Sequence, residues 1–124
     1  MTGKRIDEFR AARTHAMARL MQTEHLGIKR FLTLDSGAYR DSSAEGGLDD
    51  RTKELLGLVA SAVLRCDDCI NYHLEQCIKT GSTPKQIEDA LNVALVVGGS
   101  IVIPHLRRAM LVLDELASER GGAA

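Results

Sequence analysis

Apolar residues recur at helical spacing along most of this chain, and nowhere do they alternate with polar ones as a half-buried strand requires. That property confines the fold to packed helices. Between Ile6 and His25 the stripe is Phe9, Ala12, Ala16, Met17, Leu20 and Met21, and Gly27 predicts its end. From Ile28 to Gly47 the pattern breaks into a long connection, anchored by Phe31, Leu32 and Leu34, with Ser42, Ser43, Gly46 and Gly47 marking a flexible tip. A second helix is predicted from Asp49 to Leu64, with Asp49 or Asp50 as N-cap. It is apolar on most sides, so it is buried within the fold or against another subunit. A third starts near Cys66 and stops at Gly81, a C-cap glycine. The fourth has the strongest start: Thr83 as N-cap, Pro84 at its first position and Gln86 closing a capping box. Its face is Ile87, Ala90, Leu91, Ala94 and Leu95, and Gly98 and Gly99 interrupt it. A last helix runs from about Ile101 to Glu119, with Pro104 near its first turn.

Composition agrees with this all-α class. A chain of 124 residues fits one domain, 1–124, long enough for a core without staples. There is no Trp, and there are only two Tyr and two Phe, so Leu, Val, Ile, Ala and Met must fill that core. The net charge of -1, without a basic stripe, gives no footprint for nucleic acid. The most apolar run, Val93 to Ile103, contains two glycines and is too short to span a bilayer. The polar, charged start carries no secretory pattern. A cytoplasmic protein is expected, in which a Cys-x-x-Cys pair is more often catalytic or metal-binding than structural.

Cys66 to His73 reads Cys-Asp-Asp-Cys-Ile-Asn-Tyr-His. On a helix with about 100° per residue, Cys69 lies roughly 60° from Cys66 and His73 falls between them. The three form a possible disulfide pair with a proton acceptor on the same face. The bland alternative is two small buried hydrophobes and a histidine satisfied by a carbonyl. A helix N-terminus and Arg65 favour thiolate, while Asp67 and Asp68 oppose it, and the net sign stays open. Asp68 should point about 100° or more from both sulfurs and act weakly. Cys77 extends the pattern, but on one helix it lies about 16 Å along the axis from Cys66. The four side chains cannot share a zinc ion bound at about 2.0–2.3 Å, so Cys77 is expected in the core. No metal site or cofactor is expected. Glu54 has two readings: a solvated first-turn glutamate, which periodicity favours, or a buried partner of His73. His105, after Pro104, reads as a capping or interface residue. Arg107 and Arg108 read as solvated, or salt-bridged across an interface.

Two stretches, Lys53 to His73 and Gly81 to Gly99, resemble the carboxymuconolactone decarboxylase family, over roughly residues 48 to 115. Within it the chain is similar to the alkylhydroperoxidase D-like branch, whose pattern is Glu, eleven residues, then Cys-x-x-Cys-x-x-x-His. Glu54, Cys66, Cys69 and His73 match that spacing. The resemblance implies a helical bundle built on a helix pair and assembled as trimers or hexamers. It also implies a thiol cycle, with Cys69 reacting with hydroperoxide, Cys66 resolving, His73 and Glu54 relaying protons, and a lipoyl or thioredoxin-like dithiol as reductant. Asp68 stands where the best-known peroxidase member has histidine. Two rival functions are a lyase acting on a small carboxylated substrate through His73 or Glu54, and a non-catalytic oligomer that senses redox state through the pair.

Overall fold

The structure, a computed structural model, describes residues 4–121. These form six α-helices and two short 3-10 turns: α1 Lys4–Met21, α2 Leu26–Ala38, a turn Ser43–Glu45, α3 Asp50–Val63, α4 Asp67–Lys79, α5 Pro84–Gly98, a turn Ser100–Val102, and α6 Ile103–Gly121. The all-α class follows from the periodicity. The core is aliphatic, as the shortage of aromatics requires. Leu58 and Ala62 of α3, Ile70, Leu74 and Cys77 of α4, Ile87, Leu91 and Ala94 of α5, and Ala109, Val112 and Leu113 of α6 are all buried. The helix α3 packs on both α4 and α5, α6 closes over α4, and α1 lies across α6 and α4.

Most ends match their sequence signals. Asp49 caps α3 by accepting from the Thr52 N–H, and Thr83 and Gln86 complete the capping box of α5. Gly81, at φ 102°, ends α4: its N–H donates to the Ile78 carbonyl and that of Ser82 to the Cys77 carbonyl. Such a pair of bonds normally needs a glycine in the left-handed region. The same pair closes α3, where Arg65 donates to Ala62 and Cys66 to Ser61, yet here Arg65 holds the left-handed position at φ 61°. A side chain there costs about 1–2 kcal/mol. The turn it makes starts α4 at Asp67, with Cys66 as N-cap.

The connection expected over 28–47 is instead mostly helix α2. None of its residues is buried, and Leu26, Phe31 and Leu34 face outward, so no core-facing stripe marked it. Gly27 does not end the first helix, which stops at Met21. It lies in the first turn of α2, whose N-cap His25 accepts from the Ile28 N–H through its ring. The last helix is also offset, because Gly99 at φ 82° and the 3-10 turn take up residues 99–102.

Candidate active site

The turn at Arg65 places Cys66 at the N-terminus of α4. Its sulfur caps the helix by accepting from the Cys69 N–H at 3.4 Å, and the two sulfurs lie 2.8 Å apart. Both cysteines are free thiols; Cys69 is exposed and Cys66 half-buried. The hydrogen bond between the sulfurs, then burial, then electrostatic repulsion from the neighbouring Cys66, Asp68 and Asp35 push the Cys69 thiol up to about 11. The sign left open by the sequence is therefore upward for Cys69, and the helix N-terminus does not overcome these neighbours. Asp68 lines the same small cavity as Cys69, and its charge acts on the thiol only after Cys66 and burial, in line with the weak effect expected of it. Asp67 is engaged elsewhere: its carboxylate accepts from His105 Nδ1 at 2.7 Å and from Arg108 Nε at 2.9 Å. Burial would raise Asp67, but these two bonds hold it below the usual range. His105 and Arg108 thus pair within the chain, tying α6 to the start of α4.

Glu54 and His73 come together from α3 and α4. Nδ1 of His73 and Oε1 of Glu54 are 2.8 Å apart, with the residues only 7% and 5% exposed. Glu54 is therefore not the solvated glutamate that periodicity favoured. An ionised carboxylate only accepts, so Nδ1 carries the hydrogen and the neutral ring offers Nε2 as an acceptor. Nε2 faces the hydroxyl of Tyr39 at 3.4 Å. The ring also meets Tyr72 edge-on, and Arg13 lies 4.5 Å over the Tyr72 ring. Cys69 and His73, with Arg13, Asp35, Tyr39, Asp68 and Tyr72, line a cavity of about 230 Å³. A wider one of about 910 Å³ adjoins it, sharing Arg13, Asp35, Tyr39 and Tyr72 and reaching Glu54.

Two contributors were missed from sequence. Tyr39 lay in the supposed connection and carries no motif. Gly57 lies on α3 beneath the imidazole, where a β-carbon would meet His73 Cε1 at 2.6 Å and Nε2 at 2.8 Å. Its signal, a glycine inside a helix one turn from Glu54, was readable only as a weak point in propensity. Cys77 is fully buried, and burial pushes its thiol up to about 12. Among the described residues, no three His, Cys, Asp or Glu side chains are grouped to hold a metal ion, and no helix is long and apolar enough to cross a membrane.

A family model for carboxymuconolactone decarboxylases matches residues 29–112, from within α2 to α6. A family protein from Thermotoga maritima, for which involvement in the antioxidative response has been suggested, has 51% identity and a TM-score of 0.83, covering 94% of this chain and 97% of its own. An uncharacterised cox-locus protein of Paracoccus denitrificans is 33% identical over 82% of this chain and 90% of its own length. The alkyl hydroperoxide reductase AhpD of Corynebacterium aurimucosum is 33% identical over 54% of this chain but only 38% of its own.

Proposed function

The chain belongs to the carboxymuconolactone decarboxylase family, and we propose that within it this protein is a thiol-dependent peroxidase working through Cys66 and Cys69. The observation that carries the proposal is the pair itself. The two sulfurs are 2.8 Å apart at a helix N-terminus, and the exposed one opens into a cavity lined by a histidine with a buried carboxylate behind it. The Cys69 thiol, held up to about 11, stays protonated at neutral pH. It needs a base at the moment of attack, and His73, oriented by Glu54, is the base at hand. Cys69 attacks the outer oxygen of a hydroperoxide and becomes a sulfenic acid. Cys66 displaces hydroxide from it, which leaves as water, and the disulfide forms. A dithiol reductant, a lipoyl group or a thioredoxin-like protein, restores both thiols. A reducing cytoplasm suits this cycle.

The test is a thiol count by mass spectrometry before and after one equivalent of peroxide. Two thiols lost as a Cys66–Cys69 disulfide, with Cys77 intact, is the expected result; three persisting thiols would overturn it. A second reading draws support from the buried Glu54–His73 pair, which could serve a lyase as acid and base without any sulfur. That reading expects turnover of a small carboxylated substrate to survive alkylation of Cys66 and Cys69.

A further inference from the structure

Building on the peroxidase reading, we infer that Tyr39 is a further catalytic residue, the acid that protonates the departing oxygen of the hydroperoxide. The Glu54 carboxylate, the two nitrogens of His73 and the Tyr39 hydroxyl form one line of contacts, at 2.8 Å and 3.4 Å. Its inner end is buried, and its outer end opens into the cavity that Cys69 lines. The longer contact fits a catalytic bond that tightens only when substrate is bound. Tyr72 is nearer in sequence but meets the imidazole edge-on and makes no hydrogen bond to it, so it does not extend the line. Burial first, then the charges of Asp35 and Glu54, hold the Tyr39 phenol above its usual range, which keeps its proton available. Its backbone is fixed at the end of α2, where Lys53 of α3 donates to the Arg40 carbonyl at 2.6 Å and to Ser42 Oγ at 2.9 Å.

The proton balance closes. His73 Nε2 takes the thiol proton of Cys69. The thiolate attacks the outer oxygen of ROOH, so an S–O bond forms and the O–O bond breaks with both electrons going to RO. Sulfur is oxidised to the sulfenic acid and the peroxide is reduced. The alkoxide takes the Tyr39 proton, and the phenolate recovers one from His73 Nε2. The sum is Cys69–SH plus ROOH giving Cys69–SOH plus ROH.

The test compares wild type with Tyr39→Phe, which keeps the ring and removes only the hydroxyl, in single-turnover oxidation of Cys69 by two peroxides. With tert-butyl hydroperoxide the leaving group is a basic alkoxide that needs an acid. With peracetic acid it is acetate, which does not. Loss of a general acid should slow the first reaction about a hundredfold and leave the second within about twofold. The ratio of the two rates does not depend on what fraction of the variant folds. An equal slowing with both peroxides would make Tyr39 merely structural, and no slowing would leave it idle; either overturns the inference alone. A wild type that reduces neither peroxide would bring down the peroxidase reading, and this inference with it.

Discussion

Gly57 and His73 are packed so closely that they fix each other's choice of residue. A β-carbon at Gly57 would fall 2.9 Å or less from three atoms of the imidazole, and the ring, held between Glu54 and two tyrosines, has little room to move. Gly57→Ala should therefore push Nδ1 off Glu54 and cut peroxide turnover at least about tenfold, although alanine inside a helix is otherwise favoured by roughly 0.5–1 kcal/mol. Unchanged turnover with a higher Tm would show that the ring is free to shift. Cys77 gives a prediction in pH. Its thiol is held up to about 12 by burial, against about 8.5 when unfolded. The unfolded state thus loses this proton first, so stability is full below the unfolded value and falls as pH rises toward the folded one. The loss should reach up to ~1.4 kcal/mol per pH unit. Urea midpoints of reduced protein at pH 8 and pH 10.5 should fall further in wild type than in Cys77→Ala; an equal fall would contradict it. At this scale the sequence showed the cysteine pair and His73, because their spacing on one helix brings them together. Periodicity alone did not show that Glu54 turns inward, although the family spacing assigned it to His73, and nothing in the sequence showed that Tyr39 and Gly57 reach the same ring, because those facts depend on how α2 and α3 sit against α4.

Helices with strong end signals were legible, and the one without an inward face was not. The capping box of α5 and the glycine ending α4 are local chemistry, independent of what packs where. The helix α2 buries nothing within this chain, so its apolar residues keep no register with a core and read as a connection. The left-handed turn at Arg65 was equally hidden, since nothing in the residue type announces it. Helix α1 poses a different question, because Ile6 is its only buried residue. Polar contacts hold it as well, above all those of Arg10, whose guanidinium meets Glu119 of α6 at 2.8 and 2.9 Å and Glu75 of α4 through Nε at 2.6 Å. Bonds to both carboxylates hold Arg10 charged far into the alkaline range and pull Glu119 below its usual value. Partly exposed ion pairs contribute up to about 1 kcal/mol each. Arg10→Ala should speed amide exchange in α1 roughly fivefold for about 1 kcal/mol lost, while α3 and α4 exchange as before. Uniform acceleration across all helices would mean that α1 does not open as a separate unit.

At the scale of the molecule, exposed aliphatic side chains gather along α5 and the end of α3. On α5, Val93, Val96 and Val97 share a helical face and are exposed, Val96 at 76%. Leu64, also 76% exposed, stands at the end of α3, and Ile101 just beyond α5 is bare as well. The two helix ends meet at Gly98, whose missing β-carbon would lie 3.8 Å from the Val63 backbone, so these side chains flank one close helix crossing. The outward residues Phe31 and Leu34 add a second patch on α2, the helix with no buried side chain. Exposed apolar side chains gathered in this way are what proteins use to associate, and self-association through them is the prediction. Self-association would also explain why α3 reads as apolar on most sides although one of them, at Leu56, faces solvent in a single chain. We expect a mass by light scattering that is a multiple of 13.5 kDa. Val96→Glu with Leu64→Glu should shift it toward the single chain. Because neither side chain is buried within one chain, that change should spare the helical content while lowering the Tm in a concentration-dependent way. A wild type that stays at 13.5 kDa at high concentration, or a double variant with unchanged mass, would remove association through the α3–α5 crossing.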